Sequence, residues 1–154
     1  MVLFYVKECP FSQWSGHGFS ENGTYYKTAE HYMMAKKAAL MGDYARHDQI
    51  LQSRNSMAAK AIGRDVKLDF NLWDASKRDI VYDGNMLKFK QNPDILKLLL
   101  STGNKEMVEA SPTDRIWGVG FDKWQAPSNR SRWGQNLLGK ALQRVWAQLR
   151  LEGY

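Results

Sequence analysis

Apolar and polar positions along the 154-residue chain repeat with two different periods, and each change of period marks an element. Residues 2–6 alternate as a strand does. Glu21-Asn22-Gly23 is a turn signal between Phe19 and the Thr24-Tyr25-Tyr26 run, so a small hairpin is predicted ahead of the first helix. From Thr28 the period becomes helical, with Thr28 as N-cap and Gly42 as the stop. Asp43 caps a second helix through about Ser53. Asn55 or Ser56 opens a third, MAAKAIGR, that ends near Gly63. Residues 73–91 predict a longer helix with Ile80, Leu87 and Phe89 among its apolar positions and Asp83-Gly84 as a candidate break. Asn92-Pro93 supplies the cap and first residue of a fifth helix that stops at Gly103. MVEA (107–110) reads as a short strand and residues 111–134 as an extended loop. The last helix starts at about Asn136, with a stripe of Leu138, Leu142, Val145 and Leu149. The expected fold is mostly α (α+β): one helical domain over residues 1–154 with a small N-terminal β-hairpin and strand element.

The first helix carries a charge pattern that packing alone does not require. At about 100° per residue, Glu30, Met34, Lys37 and Met41 share one narrow arc, with Met33 beside them. Thr28, His31 and Lys36 are expected on the wet side. A carboxylate and an amine removed from water cost several kcal/mol each unless they meet partners. Glu30 and Lys37 therefore read either as a functional pair or as charges that each have a structural partner on a half-exposed stripe.

Composition narrows the classes. The chain is 44% hydrophobic and 25% charged, which is ordinary for one globular domain. A single cysteine, Cys9, excludes an internal disulfide and fits a reducing compartment. Residues 1–6 are too short for a signal segment, and no apolar run approaches the roughly 20 residues that a spanning helix needs. A soluble cytoplasmic protein with no membrane partner is expected. Net charge is +6, spread along the chain. Such a field suits an anionic partner, whether a phosphorylated small molecule or a nucleic acid, and equally a plain solvated surface.

Other candidates are sparser. Residues 111–134 hold Trp117, Trp124 and Trp133, rings that either cover a ligand or fill the core. Asp114-Arg115 and Trp117-Gly118-Val119-Gly120 open this stretch, and its glycines let backbone approach a neighbour closely. Lys60 and Arg64, four apart, share a helix face on which they could hold a phosphate. Solvated surface is the expected place of Lys60, and Arg64 the better placed to point into a site. His17, His31 and His47 lack metal-ligand spacing, and no nucleophile elbow or Cys–His arrangement is present. Neither a metal nor a cofactor is expected.

Taken together, the residues resemble a known family. YYKTAEHYMMAKKAALMGD is similar to the signature helix of the NADAR (YbiA-like) family, Y-P-T-A-E-H-Y-x-Q-A-x-K-A…G-D. The resemblance continues through FSQW (11–14), AKAIGR (59–64), LKFKQNP (87–93), LLSTGNKEMVEASPTDRIWGVG (99–120) and GQNLLGKAL (134–142), in the family's order. It implies an N-glycosidase that cleaves the C–N bond between ribose and an amine. The implied substrates are ribosylamino-pyrimidine phosphates of riboflavin synthesis or ADP-ribose on guanine of nucleic acid. The resemblance implies Glu30 and Lys37 as catalytic residues, and Trp14, Arg64, Glu109, Asp114, Trp117, Gly118 and Asn136 as pocket residues. Three positions depart from the pattern: Lys27 stands where proline is common, Met34 where glutamine is common, and Trp133 is displaced by one within Arg132-Trp133-Gly134.

Two chemical routes fit the pair. Ring opening of a glycosylamine gives an imine that a neutral Lys37 would attack at C1, with Glu30 moving the proton. Alternatively Glu30 activates water and Lys37 positions the substrate as a cation. Their Cα atoms lie about 10 Å apart along the axis, close enough for both side chains to reach one ribose. The competing function is a non-catalytic binding module for ADP-ribose or nucleic acid that stacks bases on the Trp loop.

Overall fold

Local signals set most of the elements in the computed structural model, which describes residues 1–154. The strands are β1 (Val2–Phe4), β2 (Phe19–Glu21), β3 (Thr24–Tyr26) and β4 (Met107–Glu109). The helices are α1 (Ala29–Leu40), α2 (Tyr44–Gln52), α3 (Ser56–Arg64), α4 (Phe70–Gln91), α5 (Pro93–Ser101) and α6 (Leu137–Leu151). A 3₁₀ segment runs Ala126–Arg132. The architecture is thus mostly helical with a little β. The chain divides into two compact units, residues 13–92 and residues 1–12 with 93–154.

In the unit of residues 13–92, β2 and β3 form the predicted antiparallel hairpin, turned by Asn22 (φ 51°) and Gly23 (φ 83°). Thr28 caps α1 by accepting from the His31 N–H, and Gly42 (φ 73°) follows its end. Asp43 and Asn55 cap α2 and α3 in the same way. α1 is the hub, packed against α2, α3 and α4. This placement overturns the expected wet side: Thr28 is buried and His31 is fully enclosed, because neighbours surround α1 on more than one face. Lys36 alone of the three is half-exposed, and it pairs with Glu21 at 2.7 Å.

α4 begins three residues before the predicted start, since Asp69 accepts from the Leu72 N–H and caps it there. It also runs unbroken through Gly84. A Cβ at Gly84 would come within 2.6 Å of the Tyr32 ring, so this glycine serves close helix packing rather than a break. Tyr32 stands edge-on to Tyr26 at 4.9 Å between centroids and fixes the hairpin to α1.

In the other unit, β1 is shorter than the alternation of residues 2–6 suggests and pairs in parallel with β4, Val2 opposite Met107 and Phe4 opposite Glu109. α6 packs on β4 through the apolar stripe read from the sequence, with Leu138, Leu142, Val145 and Leu149 all fully buried. Residues 111–134 are not all loop. Asp122 accepts from the Trp124 and Gln125 N–H groups, and Pro127 presets the turn of the 3₁₀ segment that follows. Trp133 packs against the Val108–Val119–Ala126 cluster and donates to the Ala126 carbonyl at 2.8 Å, so it is a core ring. No helix of the protein is long and apolar enough to cross a membrane.

Candidate functional site

The helical period carries Glu30 and Lys37 to one side of α1, and the neighbours of α1 complete their surroundings. Glu30 lies in the first turn, where the helix dipole favours a carboxylate, and is only 4% exposed. Its backbone N–H donates to the Gln13 carbonyl at 3.0 Å. The Gln13 side chain accepts in turn from the Asn85 amide of α4 at 2.9 Å. Segment 13–14 is thereby tied to both α1 and α4.

Lys37, two turns on, is half-buried. Its Nζ donates to the Gly63 carbonyl in the last turn of α3 at 3.0 Å and lies 5.6 Å from the centroid of the Trp73 ring. Burial pulls the amine below the ordinary lysine value; Glu30 opposes that shift and the Arg64 charge adds to it. A larger share of neutral amine near neutral pH is the chemical result. Trp73 is absent from the residues that the sequence singles out; its signal there is a position four residues after the capping Asp69.

Met34 occupies the same face and explains Gly63. A Cβ on Gly63 would collide with the Met34 sulphur, so α3 reaches α1 closely enough for its carbonyl to meet Lys37. On the adjoining face, Ser56 Oγ donates to Thr28 Oγ1 at 3.0 Å, and Thr28 Oγ1 lies 2.7 Å from His31 Nδ1. His31 Nε2 lies 3.2 Å from the Ser53 carbonyl, which only accepts, so Nε2 carries the proton and Nδ1 accepts from Thr28. This arrangement favours the neutral ring, and burial holds its pKa below the ordinary value. It braces the start of α1 next to Glu30.

Two further predicted residues belong to this unit. Trp14 is half-buried with the Lys60 ammonium 5.9 Å from its ring centroid. Lys60 is not the solvated lysine expected, because it lies half-buried near that ring; Arg64 is exposed at the end of α3.

The remaining predicted residues gather in the other unit around the junction of β4 and α6. Asn136 adopts the left-handed conformation (φ 51°), accepts from the Glu109 N–H at 3.0 Å and donates to the Met107 carbonyl at 2.9 Å. Both ends of its amide are thus committed to β4. Asp114 Oδ1 accepts from the Ile116 and Trp117 N–H groups at 2.9 Å each. The carbonyls of Ile116 and Trp117 then receive the first N–H groups of α6, from Leu137 and Leu138. Gly118 lies under the Glu109 carbonyl, which a Cβ would approach to 2.8 Å. Glu109 and Trp117 are half-buried at the edge of this network. No three His, Cys, Asp or Glu side chains gather so as to hold a metal ion.

Fold and site together define a small α+β protein with an acid and a depressed-pKa amine on its central helix. The chain belongs to the NADAR family: the NADAR domain model matches residues 3–150. It is 49% identical over 146 residues to "N-glycosidase R617" of Acanthamoeba polyphaga mimivirus, covering 88% of this chain and 84% of that protein. It is 31% identical over 152 residues to "Riboflavin biosynthesis protein PYRR, chloroplastic" of Zea mays, covering 90% of this chain but 23% of that longer protein. The NMR structure of the E. coli protein YbiA superposes with a TM-score of 0.81 at 28% identity, covering 98% of this chain and 85% of that one. Relatives named as N-glycosidases support a glycosyl hydrolase activity here.

Proposed function

We propose that the protein is an N-glycosidase that hydrolyses the C–N bond between ribose C1 and an amine. Its substrate is ADP-ribosylated guanine or a ribosylamino-pyrimidine phosphate, and the chain works as one NADAR domain in the cytoplasm. The observation that carries the reading is the Lys37 amine, held by the Gly63 carbonyl on the same helix side as buried Glu30 and drawn toward its neutral form by burial. The names of the relatives support the reaction class, and the riboflavin-pathway relative supports the pyrimidine substrate.

The chemistry follows from the glycosylamine itself. Its nitrogen lone pair opens the ring at C1, the ring oxygen takes a proton, and a C1=N imine forms. Neutral Lys37 adds to C1, and a proton passed by Glu30 to the departing nitrogen releases the amine and leaves an imine on Lys37. Water then adds to C1, the Lys37–C1 bond breaks, and the free sugar and free lysine are recovered. One water is consumed per bond cleaved.

The test incubates the protein with each substrate, with and without borohydride, and reads intact mass. Release of sugar with a reduced adduct that is lost in Lys37→Ala supports both the activity and the imine. Release without an adduct retains the glycosidase and assigns Glu30 to water activation. No release from either substrate overturns the reading in favour of a binding module.

A further inference from the structure

Gln13 links the first turn of α1 to α4, and its polar groups meet different helices. Its main-chain carbonyl accepts the Glu30 N–H at 3.0 Å, and its side-chain oxygen accepts from the Asn85 amide at 2.9 Å. The same Asn85 nitrogen donates to the Val81 carbonyl at 2.8 Å. A carbonyl only accepts, so the Asn85 atom that faces Val81 is the nitrogen, and both of its protons are committed. The Gln13 atom that meets Asn85 is therefore Oε1, and Nε2 is turned away from it. That nitrogen has no partner within the protein and keeps contact with solvent, although Gln13 is only 8% exposed.

Asn85 itself is fully enclosed, and its Oδ1 meets no donor. Burying an unpaired amide oxygen costs stability that an apolar side chain at this position would not. What the residue supplies in return is the orientation of Gln13, its one hydrogen bond outside α4. Residues 13–14 pass the Glu30 end of α1, with Asn85 on one side and the Lys60 ammonium against the Trp14 ring on the other. Ionised Glu30 offers acceptors only, and the Lys37 amine is bonded to the Gly63 carbonyl. A pentose presents oxygens that need a donor, and Gln13 Nε2 is a neutral donor next to Glu30.

We infer that Gln13 binds an oxygen of the ribosyl substrate through Nε2, and that Asn85 is a positioning residue that keeps this donor facing the sugar. This rests on the glycosidase reading of the Glu30–Lys37 face and adds to it a sugar contact from residue 13 and a task for α4. Neither residue carries a charge, so the contact recognises the sugar itself and is indifferent to any phosphate on it.

Ribose is the probe, titrated into the intact isotope-labelled protein while side-chain amide signals are followed by NMR. Gln13→Glu and Asn85→Leu assign the two NH2 pairs by their disappearance. The Gln13 pair is expected to shift with ribose, and the Asn85 pair, with both protons bonded, to exchange slowly with solvent. Gln13→Glu keeps an oxygen for Asn85 and deletes the donor, so ribose should bind about fivefold weaker, within the range for one neutral hydrogen bond. Asn85→Leu lets the Gln13 amide turn over and should weaken ribose about twofold or more, yet have no effect in a Gln13→Glu chain.

A Gln13 pair that ribose leaves unmoved overturns the contact, as does equal ribose affinity in wild type and Gln13→Glu. Fast exchange of the Asn85 pair, or an equal loss from Asn85→Leu in both backgrounds, overturns the positioning role. Because binding is read without turnover, a ribose-dependent shift of Gln13 in a protein that cleaves neither substrate would retain the contact and reject the reaction.

Discussion

Lys37 and Gly63 are joined by a 3.0 Å hydrogen bond from the ammonium of α1 to a main-chain carbonyl in the last turn of α3. Burial disfavours the charged amine more strongly than Glu30 favours it, and the Gly63 carbonyl and the Trp73 ring also act in favour of the charge. If the neutral amine attacks, turnover rises with pH along a limb below 10.5, the ordinary lysine value. Trp73→Leu removes a group that stabilises the cation, so the limb should move to lower pH. A pH–rate profile of the two proteins measures it, and coincident limbs would show that the Trp73 ring does not stabilise the Lys37 cation.

Removing either member of the pair should be severe. Glu30→Gln and Lys37→Ala are each expected to lower turnover by roughly 10²-fold or more, with the fold retained by circular dichroism. Activity within a few-fold of wild type in both would reject the assignment.

Gly63 is expected to be intolerant of a single methyl group. Gly63→Ala should destabilise by about 1–3 kcal/mol because its Cβ meets the Met34 sulphur, and turnover should fall as α3 is pushed from Lys37. Met34→Ala in the same chain should recover part of both losses. Equal stability of Gly63→Ala and wild type in urea unfolding would show that the contact relaxes freely.

His31 gives a pH dependence of stability with a definite sign. Its folded-state pKa lies below 6.5, so the unfolded chain binds the proton more readily. The contribution is complete above about pH 6.5 and is lost as the pH falls below it. Denaturant midpoints between pH 8 and pH 5 should drop in wild type and drop less in His31→Gln.

Asn136 is expected to act mainly through structure. Asn136→Ala loses the bonds to Glu109 and Met107 and places alanine at positive φ, a cost of about 2–4 kcal/mol. Asn136→Gly relieves the backbone part and should be the milder variant. Chemical denaturation ranks the two; an unchanged midpoint in Asn136→Ala would deny the staple.

Much of this arrangement was legible because its signals are local. Thr28, Gly42, Asp43 and the Asn22-Gly23 turn mark element ends within a few residues, and the 3.6-residue period alone aligns Glu30 with Lys37. What failed depended on neighbours. The projection that put His31 in water assumed one buried face, whereas α1 packs against three helices. Periodicity alone starts α4 at Trp73 and gives the ring no distinction, whereas the Asp69 cap places it a full turn inside. The Met34–Gly63 contact joins two helices, and no spacing within either one announces it.

The parallel pairing of β1 with β4 bears on how the chain is made. Val2 and Met107 are neighbours across about a hundred residues, a loop closure whose entropy is repaid only when both ends are present. On the ribosome, residues 13–92 are a contiguous block that is complete before Met107 is added. β1 therefore stays unpaired until the chain through Glu109 has been made, and a nascent chain stalled before residue 107 carries it as an unpaired edge.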